Sequence, residues 1–280
     1  IKPFYYYNKD GLFLFGSEIK SFLAHPGFKK ELNEEQLPLY LSYQYSPGED
    51  TFFKGVKKLM PAHWLEWKAG QLTVQRYWQP KFDPDDSRTL EEWEDEISAA
   101  MKESVQAHKI ADVEVGSFLS SGVDSSYMAA LAHVDKTFTV GYIGNTNLMD
   151  EHRKKKLLKN YHPGKLPTDL SRPYFELSKG QDAVTQMETC DLNLWMVGDI
   201  LLKADKMSMA NSLELRVPFL DRKVFELASH IPTKCKVNAT QTKIAMRGAA
   251  EKTIPAKTAD KKKLGFPVPV RAWLRDEQYA

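Results

Sequence analysis

Residues 118–126, FLSSGVDSS, gather a glycine, four hydroxyls and one carboxylate at the foot of an apolar stretch that reads as a helix. The first N–H groups of a helix carry the positive end of its dipole and suit an anion. Gly122 can take a backbone conformation barred to side chains, and Ser120, Ser121, Ser125 and Ser126 can add hydroxyl donors aimed at phosphate oxygens. Asp124 acts in the opposite sense, because a carboxylate beside phosphates is repulsive unless a cation such as Mg²⁺ lies between them. Together these residues suit a magnesium-bound polyphosphate. The G-x-x-x-x-G-K-S/T spacing and its lysine are missing, so the loop is not a Walker A loop. The same pattern fits a serine-capped helix after a buried strand, and the residues alone leave both readings open.

The elements around the loop decide where it sits. Asp112–Leu119 is a β-branched, apolar run ending at the loop, Thr137–Tyr142 is a second, and Leu90–His108 places Trp93, Ile97, Ala100, Met101 and Val105 at helical spacing. Strand, loop, helix and strand predict the start of a parallel α/β sheet. From about Gln181 the pattern turns helical, with Gln181–Cys190, Leu192–Asp205, Lys223–His230 and Thr240–Ala250 punctuated by Pro232, Pro255, Pro267 and Pro269. A helical lobe against the sheet is expected. Ahead of it, Phe4–Tyr7, Leu12–Gly16, Trp64–Lys68 and Leu72–Tyr77 read as strands, with hairpin turns at Asn8–Gly11 and Ala69–Gly70. Ser17–His25 predicts a short serine-capped helix, and Asn33 with Gln36 predicts the opening of another. The polar, aperiodic Lys81–Arg88 suits a linker.

Composition sets outer limits. The chain has 280 residues, 42% of them hydrophobic, and 39 basic against 37 acidic residues give a formal net charge of +2. Nothing in that balance calls for nucleic acid or a membrane surface as partner. Cys190 and Cys235 lie far apart, without the spacing of a zinc site or redox pair, which fits a reducing compartment. There is no run of about 18 apolar residues and no signal peptide, so the expected location is cytoplasmic. Homodimerisation is left open.

Longer stretches carry a resemblance. SSGVDSS resembles the pyrophosphate loop, S-G-G-x-D-S-S, of the ATP pyrophosphatase superfamily, and Leu201–Asp221, LLKADKMSMANSLELRVPFLD, closely resembles the signature of the asparagine synthetase (glutamine-hydrolysing) family. Asp112–Ser126 is similar to that family's strand and loop, with Ser121 in place of its first loop glycine. Thr137–Gly141, TFTVG, resembles the strand whose end meets adenine; Lys243–Arg247, KIAMR, resembles the K-x-x-L-R segment with the catalytic lysine; and Lys263–Pro269 followed by Trp273 resembles the late K-x-G-F-x-x-P segment. Ile1–Tyr7 and Ser17–Lys20 look like the later part of the family's glutaminase domain.

The resemblance implies a parallel-sheet α/β ATP pyrophosphatase domain with a helical lobe, preceded by part of an α+β Ntn-type glutaminase domain. Residues 1–80 are then the glutaminase-like part, 81–88 the linker and 89–280 the synthetase domain. It implies that aspartate's carboxylate attacks the α phosphorus of ATP, giving β-aspartyl-AMP and pyrophosphate, and that ammonia drawn from glutamine then displaces AMP. Asp124 is expected on Mg²⁺, and Leu119, Ser120, Ser121, Gly122, Val123, Ser125, Ser126, Val140 and Gly141 on the nucleotide, with backbone groups of Leu119 and Val140 against adenine. Lys243 is the expected catalytic residue, and Asp205, Glu214, Arg216, Asp221 and Arg247 are expected to support the site. Glu214, Arg216 and Asp221 could form an ion network pinning the turn. Lys206 stands where the family often has arginine, which loses a bidentate fork.

The pattern also breaks. The family's glutaminase begins with a nucleophilic cysteine, whereas this sequence begins at Ile1 and has no cysteine before Cys190, so a truncated glutaminase half is expected. The acidic loop S-G-E-G-x-D-E is missing, and no β-run is visible between Tyr142 and Gln181 although a parallel sheet needs several crossover units. Omitted segments are therefore expected between Ile143 and Arg172. Other readings are a β-lactam synthetase or amidotransferase acting on another carboxylate, or a noncatalytic binding protein on the same scaffold.

Overall fold

The computed structural model describes residues 3–120, 122–139, 155–156 and 166–262. They fall into two compact units: residues 1–80 with 147–215, and residues 81–146 with 216–280. The described residues of 147–215, which follow the parallel-sheet start in the chain, thus pack with the β-rich amino-terminal stretch.

In the first unit, β1 (Tyr5–Lys9) lies between β2 (Leu12–Gly16) and β3 (Val56–Lys58) in an antiparallel sheet, and β4 (His63–Lys68) pairs with β5 (Gln71–Arg76) as a hairpin. The turns at Asp10–Gly11 and Ala69–Gly70 each place both residues at positive φ, the mirror-image turn that matches strand twist. Tyr5, Tyr7, Phe22, Phe28 and Val56 form the core, with the rings of Tyr7 and Phe22 meeting that of Phe28 edge-on. Helices Pro167–Leu177, Ala183–Asn193 and Leu202–Met209 complete the unit, with a π-helical turn at Met196–Leu201. That turn brings Gly198 against the ring of Tyr45, and the Tyr43 hydroxyl donates to Pro167 O at 3.0 Å.

Two capping expectations fail here. Ile19–Ala24 is a 3₁₀ helix preceded by Glu18 without a side-chain cap, and Ser17 takes no part; Ser21 Oγ instead donates to Glu18 O at 2.7 Å. Helix α1 (Gln36–Tyr43) starts without a capping box, because the Asn33 amide donates to Thr51 O at 3.1 Å and Gln36 Oε1 accepts from Ser46 Oγ at 2.7 Å. At α1 a more distant partner, Thr51, takes the Asn33 side chain from the local cap that the spacing suggests.

The second unit is built on α2 (Leu90–His108). Thr89 and Glu92 form a reciprocal capping box at its start, and Trp93, Ile97, Met101 and Val105 give it one apolar face. That face packs with Val123, Tyr127 and Leu131 of α3 (Val123–Ala132) and with Ala245, Ala249 and Ala250 of the helix Ile244–Glu251. The first expected run yields a shorter strand, and of the second, Thr137–Tyr142, the last three residues lie outside the described residues. β6 spans only Ser117–Phe118 and pairs in parallel with β7, Thr137–Phe138; Val113 is exposed, so the front of the Asp112–Leu119 run is not strand. The stretch Lys81–Arg88 lies against this unit: Asp83 and Asp85 N–H groups donate to Ser229 O and His230 O at 3.1 and 2.7 Å, and Phe82 meets Phe225 edge-on.

Candidate functional site

The candidate site lies where β6 gives way to α3. Leu119 continues the ladder by donating its N–H to Phe138 O at 2.8 Å, and Thr139 Oγ1 donates to Leu119 O at 2.5 Å. Of the two residues whose backbone is expected to meet adenine, Leu119 thus has both its N–H and its carbonyl engaged, and Val140 lies outside the described residues. Ser120 N–H donates to Ser125 Oγ at 3.0 Å, the two hydroxyls are 3.0 Å apart, and Ser125 Oγ donates to Gly122 O at 3.2 Å. These serines bond to their own loop, so an incoming anion must exchange with those bonds.

Gly122 stands at the N-cap of α3 with φ −86° and ψ 162°, and no side chain caps the helix. That is ordinary extended backbone, so the conformational freedom expected of this glycine is not used. A Cβ here would meet only Ser120 Oγ, at 3.6 Å. Glycine leaves the mouth of the helix open, and the first-turn N–H groups of a helix have no intrahelical partner.

Asp124 lies in the first turn of α3, and its Oδ2 is ion-paired with Lys243 Nζ, 119 positions away. Both side chains are a little over a third exposed. Lys243 itself is at φ 61°, ψ 38°, left-handed, as the N-cap of Ile244–Glu251. A left-handed lysine costs about 1–2 kcal/mol, and a partly exposed ion pair returns about 0–1 kcal/mol. Glycine would suit that backbone better, so stability alone does not account for a lysine here; strain of this kind gathers at functional sites.

The other expected site residues are placed as follows. Arg216 Nη1 donates to His108 O at 2.8 Å and to Ile110 O, holding the chain that leaves α2. Asp221 Oδ1 accepts from Lys223 N–H at 2.8 Å and caps the helix Arg222–His230. Arg247 is buried and bonds to backbone carbonyls. Asp205 and Glu214 belong to the first unit, where Asp205 lines a cavity of about 240 Å³ together with Tyr5, Lys58, His63 and Gly198. Lys206 sits over the Tyr5 ring at 5.3 Å and 4.0 Å from Glu18. Ser121, Val140, Gly141, Lys263–Pro269 and Trp273 lie outside the described residues, as does most of the stretch 143–172.

Lys58 was not anticipated. Burial pushes its ammonium down to about 8, the field of Lys206 acting in the same direction and that of Asp50 against it. Strand alternation is the signal that could have found it, since Lys58 shares a face with buried Val56 whereas Lys57 turns out to pair with Glu49.

Comparison with known proteins adds the family. The asparagine synthase profile matches residues 96–162 and again 143–280. The chain belongs to the asparagine synthase family. A glutamine amidotransferase domain profile matches residues 1–78. Asparagine synthetase (glutamine-hydrolyzing) 1 of Bacillus subtilis is 29% identical over 415 residues, covering 99% of this chain and 65% of that protein. A putative asparagine synthetase (glutamine-hydrolyzing) of Mycobacterium tuberculosis is 28% identical, covering 89% of this chain and 60% of that protein. The amidase chyE of Penicillium rubens is 35% identical over 136 residues, covering 47% of this chain and 20% of that protein. The chain thus spans less than two thirds of these asparagine synthase family relatives. Among the described residues no helix is long and apolar enough to cross a membrane, and Cys190 and Cys235 are both free thiols.

Proposed function

We propose that the protein is an ATP-dependent carbon–nitrogen ligase that amidates aspartate to asparagine with ammonia from glutamine, releasing AMP and pyrophosphate. The observation that carries this reading is the meeting of Asp124 and Lys243 at the uncapped start of α3. An ammonium, a carboxylate and unpaired helix N–H groups at one point suit a polyphosphate and the charge that develops on it. Family membership and the amidotransferase match at residues 1–78 support the same activity.

On this reading residues 89–280 are an ATP pyrophosphatase-type synthetase domain and residues 1–80 are part of an Ntn-type glutaminase, with 81–88 as the connection between them. Relatives then carry a stretch with no counterpart here, as supported by the two overlapping profile matches and by an alignment of 415 residues to a chain of 280. A cytoplasmic setting suits the free thiols.

The residues fit a magnesium ion. Asp124 is a part-exposed carboxylate beside the expected phosphate position, and Mg²⁺ is commonly bound through one or two carboxylates plus substrate phosphates. When bound, the ion supplies positive charge against the polyphosphate. The helix mouth at Gly122–Asp124 and the hydroxyls of Ser120, Ser125 and Ser126 hold the departing pyrophosphate. Lys243 stabilises charge as an aspartate carboxylate oxygen bonds to the α phosphorus and the bond to pyrophosphate breaks. It does so again as ammonia bonds to the acyl carbon, sheds a proton and displaces AMP.

The test is pyrophosphate release that requires both aspartate and ATP, with asparagine formed from ammonium or glutamine and lost in Asp124→Ala. Turnover with a different carboxylate and none with aspartate would reject the acceptor; the match to an amidase over nearly half the chain makes that second reading specific. Absence of ATP–pyrophosphate exchange would favour a binding-only protein.

A further inference from the structure

We infer that Arg247 is a positioning residue that fixes the left-handed backbone of Lys243 and so aims its ammonium at the α3 mouth; this rests on the proposed role of Lys243. Arg247 is 7% exposed. Its Nε donates to Thr242 O at 2.8 Å, and its own backbone N–H donates to Lys243 O at 2.8 Å. One residue therefore grips the carbonyls on both sides of Lys243. Rotation about φ of Lys243 swings the peptide plane that carries Thr242 O, and rotation about ψ swings the plane that carries Lys243 O. Holding both planes leaves that residue little freedom to relax out of its left-handed well.

The grip has an anchor. Arg247 Nη1 donates to Ala259 O and, at 3.3 Å, to Lys261 O, and Gln241 Nε2 donates to Asp260 Oδ1 at 3.2 Å. The turn before Lys243 is closed by a bridge between Val237 and Thr242 and by Asn238 N–H donating to Gln241 O at 2.9 Å. Only a guanidinium has the several donors in a fixed fork that this set of carbonyls requires; a lysine ammonium at the same place reaches fewer of them and directs none. Among the described residues, the hydrogen bonds of the Arg247 side chain go to Thr242, Ala259 and Lys261 and not to the helix mouth. Its effect on chemistry passes through the backbone of Lys243.

Arg247→Lys and Arg247→Met, measured in the full-length protein beside Lys243→Ala, test this. Ala249→Gly serves as the control, since it removes a buried methyl from the same helix without touching the clamp. Assays run well below each unfolding midpoint and are expressed per folded molecule. The expected result is a fall in kcat of about tenfold or more in Arg247→Lys with KM for ATP and aspartate nearly unchanged, because the misplaced group acts on the transition state. Arg247→Met falls further, and Ala249→Gly keeps its kcat. Amide exchange at residues 241–244 should rise at least about tenfold in Arg247→Lys while Ala249 and Ala250 stay protected. Local loosening with wild-type kcat overturns the proposal, as does a kcat loss without loosening or one matched by Ala249→Gly. Full activity in Lys243→Ala is a different failure, that of the proposed function, and the exchange result then still decides whether the clamp exists. If Arg247→Met does not fold, Arg247→Lys carries the test.

Discussion

The ammonium of Lys243 is ion-paired with the carboxylate of Asp124, joining the left-handed residue that opens one helix to the first turn of another. Each of the two charges that the proposed function sets beside the polyphosphate is the other's partner. On the proposed function, a polyphosphate at the helix mouth would offer Lys243 a competing anion, so its binding would be coupled to release of this pair.

Lys243→Ala should therefore lower aspartate-dependent pyrophosphate release by about 10²-fold or more, yet move the unfolding free energy by no more than about 1 kcal/mol either way, since a part-exposed pair is screened and the new residue relieves little strain. Lys243→Arg keeps the charge and should recover part of the rate. Steady-state kinetics with denaturant unfolding check both; equal losses of rate and stability would show the lysine to be structural.

Lys58 makes a pH prediction. Its folded value of about 8 lies below the ordinary 10.5, so the unfolded chain binds the proton more readily. The penalty for burying the charge is complete below pH 8 and lifts as pH rises from about 8 towards 10.5. Lys58→Met should stabilise the protein near neutrality, by at most about 3 kcal/mol less the cost of leaving Ser46 O without its donor, and the advantage should shrink through that window. Urea melts at pH 7 and pH 10 measure it.

Gly198 tests the packing of the π-helical turn. An added Cβ would sit 2.6 Å from Tyr45 Cδ2, so Gly198→Ala must push the ring aside. A loss of about 1–3 kcal/mol is expected, and adding Tyr45→Leu should return part of it. Strict additivity in this double-mutant cycle would show that the two do not touch.

The α2 capping box predicts a smaller effect. Thr89 Oγ1 accepts from Glu92 N–H at 3.3 Å, and Glu92 Oε2 accepts from Thr89 N–H at 2.7 Å. Thr89→Ala should cost about 1 kcal/mol and fray the first turn, visible as faster amide exchange at Glu91–Trp93 with the helix centre unchanged.

Much of this was legible because it is periodic or chemically conspicuous. The apolar face of α2 could be read residue by residue, and both hairpins announced themselves through turn residues between β-branched and aromatic runs. Short polar signals misled: Ser17 does not cap the 3₁₀ helix, and Asn33 and Gln36 have cap-like spacing but bond to Thr51 and Ser46 instead, because spacing along the chain does not show which partner the fold brings near. The strand run at Asp112–Leu119 overstated β6, since a β-branched segment becomes strand only where a neighbour supplies hydrogen bonds. Asp124 and Lys243 could be singled out separately, while their contact, the left-handed backbone and the carbonyls held by Arg247 depend on distances no local pattern encodes.

The amino-terminal unit is stitched from stretches on either side of the other unit's first segment. Tyr43 and Tyr45 belong to one stretch, while Pro167 and Gly198, which they touch, belong to the other. A fragment cut after Pro80 would leave those tyrosines facing water. Excision, fusion or swapping experiments should accordingly treat the two stretches as a single inheritance, whatever their distance along the gene.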